Sequence, residues 1–399
     1  MHSYLRRLFV ALTLALTVCS SQSAQAATRK KIKQKPIVAQ PLRRPPNAAK
    51  TLRKHKKVAQ NRRSVVNHFS SAASGPWTSP TFVSDNTNGD RIDGEDLTVR
   101  RAAVEALGAY NGTVIVADPH TGRILTMVNQ KLATSNGYQP CSTVKIVAAL
   151  AGLSENVIDR TTMLRLYGRT SMNLTNALAL SNNNYFANIG VKLGYDRVNY
   201  YARLFGLGER AGLNIEGEQP GVLPPAPPKN GGMAMMTSFG EGISLTPLQL
   251  TALVSAIANG GTLHYLQHPG SIAEVENFVP RVKRQLTIQQ SLPDLIPGMM
   301  GAVEYGTARR AYYDPNEPIF GKTGTCTDRA TPTHLGWFGS FNNVGDRKLT
   351  VVVLLTGGRG VSGPVASGVA GNVYRALSQQ KYYARDGRSI SPVALISGW

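Results

Sequence analysis

Two short stretches rich in β-branched residues, 113–117 and 124–128, flank the run Asp118-Pro119-His120-Thr121-Gly122. Apolar strands on either side of a Pro- and Gly-bearing turn predict a β-hairpin. A polar segment precedes it, and residues 95–109 carry the spacing of a helix. Residues 142–305 read as mainly helical, with the clearest amphipathic stretch at 245–258. Three further apolar runs, 319–325, 334–341 and 349–356, predict strands, and 361–377 predicts a closing helix. Two strands early, three late and helices inserted between them imply an α+β fold whose sheet is completed by both ends of the chain. No internal repeat is visible.

The first 84 residues follow a different pattern. Arg6 and Arg7, the apolar run 8–18 and Ala24-Gln25-Ala26 give residues 1–26 the form of a secretory signal peptide. The apolar run is shorter than the roughly 20 residues of a membrane span. Residues 28–63 hold fourteen Lys or Arg and no acid, and the first acid of the chain is Asp85. Sixteen basic residues therefore precede Asp85, and of the net charge of +21 only +5 belongs to the remainder. The basic stretch has four prolines, Pro36, Pro41, Pro45 and Pro46, and no apolar periodicity, so residues 27–84 read as a basic, disordered linker, leaving 85–399 as the folded domain. Such a tail suits an anionic surface, a membrane or a cell-wall polymer, rather than nucleic acid, since no base-stacking motif accompanies it.

Two possible metal sites fail on inspection. In the loop 85–96, with Asn86, Asn88 and Asp90 as alternating ligands, a calcium loop needs glycine where Arg91 stands. The loop is expected instead to cap the following helix, with Asp93 near its start. His264 and His268 have the spacing of a zinc pair, but Tyr265 occupies the place of the glutamate that motif requires.

The chemistry lies elsewhere. Ser142 and Lys145, three residues apart after Pro140, share one helical face, which sets an amine beside a hydroxyl. That pair is the minimum for a serine nucleophile working without histidine. Far downstream, Lys322-Thr323-Gly324-Thr325 supplies a second cation and hydroxyls able to hold a carboxylate. Cys141 and Cys326 flank the two motifs and suggest that the pieces touch. Singly, these signals are weak. Ser-x-x-Lys recurs at Ser378, and Ser-x-Asn starts at Ser84, Ser154, Ser171, Ser181 and Ser340. Their order and setting select Ser142-x-x-Lys145, then Ser181-x-Asn183 after a helical run, then Lys322 on a strand.

This ordered triple resembles the penicillin-binding protein transpeptidases and the serine β-lactamases. The resemblance extends through 112–129, 138–150, 179–194, 205–224, 239–261, 304–308 and 319–341. It implies a central antiparallel five-stranded sheet flanked by helices, with a mainly helical subdomain inserted. It also implies roles. Ser142 attacks the carbonyl between two D-alanines of a peptidoglycan stem peptide, or the amide of a β-lactam. Lys145 takes its proton, made neutral by burial and by Lys322. Ser181 relays a proton to the leaving amine, and Asn183 positions the substrate amide and Lys145. Lys322, Thr323, Gly324 and Thr325 bind the terminal carboxylate, with the amides of Ser142 and Thr325 as oxyanion hole. No metal or organic cofactor is required.

Cysteines beside both halves of that hole are then expected to pair in an oxidising, extracytoplasmic compartment, the alternative being two reduced buried thiols. Class A carbapenem-hydrolysing β-lactamases have a similar disulfide, whereas the transpeptidases usually carry glycine before the serine. Fewer than 70 residues lie between the signal cleavage site and the catalytic region, which departs from the pedestal-bearing synthases. The expected activity is that of a D,D-transpeptidase or carboxypeptidase, with a β-lactamase or β-lactam-binding sensor as the alternative. A class A β-lactamase needs Glu-x-x-x-Asn; Glu216 and Glu218 are at plausible positions, but neither has the asparagine.

Overall fold

Strands β1 (Gly112–Ala117) and β2 (Ile124–Val128) pair antiparallel around the predicted turn. The computed structural model describes residues 77–166, 170–328, 332–344 and 347–383. The signal-like start, the basic stretch 28–63 and the last sixteen residues lie outside these. On its other edge β1 pairs with β5 (Thr350–Gly357), followed by β4 (Thr333–Asn342) and β3 (Ile319–Asp328). The sheet order is β2-β1-β5-β4-β3, antiparallel throughout.

Every residue of β1, β2 and β5 is buried, because the sheet is covered on both faces. Alternate residues feed two cores, as the period of two requires. Val114, Val116, Val351 and Val353 pack with Val99 and Leu107 of α1 (Leu97–Leu107) and Val373 of α8 (Gly363–Gln379). Ile115, Val352 and Leu354 face the other way, towards Leu250 and Val254 of α6 (Pro247–Ala258). All twelve residues of α6 are buried, so the amphipathic reading of 245–258 is corrected: one side packs on the sheet, and Gln249 Nε2 on another donates to Glu209 O and Pro220 O. Its polar residues bond internally, Thr251 Oγ1 to Pro247 O (2.9 Å) and Ser255 Oγ with Thr350 Oγ1 (3.0 Å). Its start is a reciprocal cap between Thr246 and Gln249.

The acidic loop also differs from expectation. Asp96, not Asp93, caps α1, accepting from Thr98 N and Val99 N. Asp90 and Glu95 instead pair with buried Arg100 at 2.9 and 2.8 Å. Glu95 further accepts from Thr126 Oγ1 (2.6 Å) and Met127 N (2.9 Å), and lies 3.0 Å from His268 Nε2. Burial alone would raise the Glu95 pKa, but the bonds from His268, Thr126, Met127 and Arg100 outweigh it and hold the carboxyl below its usual range. The loop is thus an ion cluster riveting α1 to β2. Residues 77–84, assigned by composition to the linker, pack on the domain as well. Val83 N donates to Ala109 O, Asn111 N to Thr81 O, and the Phe82 ring lies 5.2 Å from that of Tyr110. The aromatic residues supply apolar surface that the charge boundary at Asp85 concealed.

The helical subdomain brings α2 (Lys145–Ser154), α3 (Leu174–Ala179), α4 (Asn183–Leu204), α5 (Gly232–Phe239) and α7 (Leu292–Glu304) around one end of β3. A 3₁₀ turn, Cys141–Val144, leads into α2. Gly324 lets β3 approach it, since a Cβ there would stand 2.9 Å from Pro140 O. A disulfide joins Cys141 to Cys326 with their α-carbons 5.5 Å apart, closing a separation of 185 residues. In the chain-entropy account such a loop contributes roughly 5 kcal/mol. Cys141 has φ of 52°, a left-handed conformation that costs an L-residue about 1–2 kcal/mol and glycine almost nothing. Glycine would hold this φ without strain, and the disulfide outweighs the cost of a cysteine here. In a Cys326→Ser background, Cys141→Gly should exceed Cys141→Ala in stability by about 1 kcal/mol on chemical denaturation. Equal stability would contradict the strain assigned to this position.

Candidate active site

Ser142 lies in the 3₁₀ turn and Lys145 opens α2, so the lysine stem runs back beneath the serine. Lys145 is fully buried while Ser142 remains 8% exposed: the hydroxyl can be reached and the amine cannot. The amine meets four oxygens: Asn183 Oδ1 at 2.6 Å, Ser181 O at 2.7 Å, Ser142 Oγ at 2.9 Å and Ser181 Oγ at 3.0 Å. The Phe186 ring lies 5.7 Å away.

The chain between α3 and α4 delivers two of these residues. Ser181 N donates to Leu178 O and Asn182 N to Ala177 O, which ends α3 with Ser181 in the left-handed region (φ 57°). Glycine is the commonest residue at such a cap. A serine there carries strain and gains a hydroxyl and a carbonyl aimed at Lys145. Asn182 caps α4 at once, its Oδ1 accepting from Tyr185 N (2.9 Å), and Asn183 follows as the first helical residue.

Burial disfavours the ammonium and pulls Lys145 from 10.5 to about 7. Lys322, also fully buried, is pushed well below the ordinary lysine value by burial and then by the charge of Lys145. Two ammonium groups repel each other reciprocally, so each amine disfavours protonation of the other. Desolvation is the cause that lowers Lys145. A neutral amine has two protons and one lone pair. The Ser181 carbonyl and the Asn183 amide oxygen only accept, so they take the two protons. The lone pair is left for a hydroxyl, Ser142 or Ser181.

On β3, Lys322 Nζ donates to Thr323 O (2.9 Å). Thr325 Oγ1 accepts from Gly363 N (2.8 Å), which leaves its proton to be donated outward, and Thr325 is exposed. Thr323 is buried, its Oγ1 2.6 Å from that of Thr307, a residue not singled out individually in the sequence. The signal for Thr307 was the family-like stretch 304–308, which held no recognised motif. Trp337 Nε1 donates to Gln139 O (3.0 Å), bracing the turn before Ser142 from β4. A cleft of about 740 Å³ adjoins that turn, between Gln139, Glu241 and Asp328.

The remaining candidates lie apart. Ser378 bonds Glu317, and the Ser340 hydroxyl donates to Val351 O within the sheet. Glu216 is exposed and pairs with Arg91, while Glu218 is buried on the amides of Ala211 and Gly212. His268 is held by Glu95.

Residues 112–379 match the penicillin binding protein transpeptidase domain. Stage V sporulation protein D of Bacillus subtilis (strain 168) is 28% identical over 281 residues, 63% of this chain and 43% of that protein. Peptidoglycan D,D-transpeptidase MrdA of Haemophilus influenzae is 24% identical over 351 residues, 68% of this chain and 54% of that protein. The chain thus spans about half the length of these curated relatives. The crystal structure of Pseudomonas aeruginosa PBP2 in complex with WCK 5153 has the same fold, with a TM-score of 0.62 at 24% identity over 75% of this chain and 78% of that one. A match running from β1 to the last turn of α8 places this chain in the penicillin-binding protein transpeptidase family.

Proposed function

We propose that the chain is a serine acyltransferase acting on the D-Ala-D-Ala end of peptidoglycan stem peptides, as a D,D-transpeptidase or carboxypeptidase, and that penicillin acylates it at Ser142. The observation that carries this reading is the buried Lys145 amine, pulled to about 7 and 2.9 Å from Ser142 Oγ. Ser142 Oγ bonds to the scissile carbonyl carbon as its proton passes to the Lys145 lone pair. The carbonyl oxygen becomes an oxyanion and accepts from the amides of Ser142 and Thr325, which the disulfide between their neighbours holds together. The C–N bond then breaks, and the proton returns from Lys145 through Ser181 Oγ to the departing amine. An incoming amine or water reverses these steps and releases the acyl group. Lys322, Thr323 and Thr325, on the strand that Gly324 brings close to the serine turn, receive the terminal carboxylate. The adjoining cleft leaves room for the rest of the peptide.

The disulfide is the feature that favours a β-lactamase. A class A β-lactamase, however, activates its deacylating water with a glutamate, and Glu216 and Glu218 are both engaged elsewhere, which favours the slower-deacylating reading. We further propose that the chain is exported, in keeping with its signal-like start and its oxidised cysteine pair. Its fourteen basic residues at 28–63 would then draw it to an anionic membrane or wall surface.

Labelled penicillin should give a stable adduct with the wild type and none with Ser142→Ala. The labelling rate should rise about tenfold per unit of pH below 7 and level off above it, because only the neutral amine accepts a proton. Labelling of Ser142→Ala would refute the nucleophile, and rapid loss of label would favour the β-lactamase. The full chain should co-sediment with phosphatidylglycerol vesicles at low salt and not with phosphatidylcholine vesicles. Equal binding to both would remove the role of the basic stretch.

A further inference from the structure

The chain just after α7 takes no part in the chemistry above, yet it lies where the two walls of the site meet. Helix α7 stops at Glu304, and Tyr305 N and Gly306 N both donate to Gly301 O, turning the chain back. This turn presses on the last residue of α3 so closely that a Cβ at Gly306 would lie 2.2 Å from Ala179 O. Thr307 N donates to the same carbonyl at 3.1 Å. Ala179 is two residues before Ser181. On its other side Thr307 Oγ1 lies 2.6 Å from Thr323 Oγ1, on the strand residue next to Lys322. Thr307 therefore touches both the backbone that leads to Ser181 and the hydroxyl beside the second lysine.

The proton of Thr307 has two acceptors within reach, Ala179 O at 3.5 Å and Thr323 Oγ1 at 2.6 Å. In the 2.6 Å bond either hydroxyl can be the donor, and Ala179 O lies beyond the roughly 2.5–3.0 Å of a good O–H···O bond. With an acceptor-only carboxylate facing Thr323, the polarity that bonds both protons well has Thr307 donating to Thr323. Thr323 then accepts from Thr307 and keeps its own proton for donation. A carboxylate can only accept, so this polarity suits the anionic end of a substrate, and the opposite polarity would repel it.

We propose that Thr307 is a positioning residue that turns the Thr323 hydroxyl, proton outward, towards the substrate carboxylate while tying it to the Ser181 backbone. The proposal rests on the acyltransferase reading. It is tested by measuring noncovalent affinity and acylation rate constant separately, for benzylpenicillin and for its methyl ester, on the full chain. Thr307→Val should weaken benzylpenicillin binding about tenfold, the loss of one charge-assisted hydrogen bond. It should leave the acylation rate constant within roughly twofold and the ester unaffected, and Thr307→Ser should restore wild-type behaviour. Equal losses on both ligands would mark Thr307 as a structural joint, and no loss would show that Thr323 is oriented without it; either result overturns the proposal. If the valine variant does not fold, Thr307→Ala carries the same expectation. Wild-type protein that takes no label removes the acyltransferase reading and this proposal together, whereas labelling that depends on Ser142 leaves only the role of Thr307 in question.

Discussion

Taking the Lys145 amine out of water is the constraint on which the rest of the site depends. An exposed lysine at neutral pH is an ammonium, with no lone pair to accept a proton from serine. Enclosure among Ser142, Ser181, Asn183 and the Phe186 ring reverses that preference, and the acceptors are disposed so that the neutral form is fully bonded. Much of the surrounding architecture serves this enclosure. Helix α2 is buried from Lys145 to Leu153, and the cap of α3 accepts left-handed strain at Ser181 to bring two oxygens to one amine.

The site also needs two bodies of the fold held at a fixed separation. Ser142, Lys145 and Ser181 belong to the helical subdomain, and Lys322 to Thr325 belong to the edge strand of the sheet. The Cys141–Cys326 bond fastens these walls beside Ser142, and the turn carrying Gly306 and Thr307 fastens them behind Ser181. Two glycines mark where the backbones come closest, Gly324 against Pro140 and Gly306 against Ala179. A second buried amine, Lys322, sits across the joint with only a backbone carbonyl as its hydrogen-bond partner among the described residues. Burial and the Lys145 charge disfavour its ammonium, and an arriving carboxylate would favour it.

The sheet was legible because apolar runs such as 351–355 can be buried only between two layers, and the turn 118–122 could be only a turn. The ordered Ser-Lys, Ser-Asn and Lys-Thr-Gly signals were legible because each is a local pattern. What escaped was set by contacts distant in sequence. Gln249, Thr251 and Ser255 made 245–258 look amphipathic, but their side chains are satisfied inside the fold, so the whole helix is buried. Asp90 and Glu95 looked like loop acids because Arg100 and His268, their partners, are recognisable only in three dimensions. The positive φ of Cys141 and Ser181 was hidden because neither residue type announces it.

The central claim, that desolvation holds Lys145 neutral near physiological pH, is open to direct measurement. The side-chain nitrogen of Lys145 can be followed by NMR through a pH titration of ¹⁵N-lysine-labelled protein, with the resonance identified by its absence in Lys145→Met. Titration close to 7 is the result this structure predicts. Titration at the ordinary lysine value of 10.5 would contradict it and would leave Ser142 without its base.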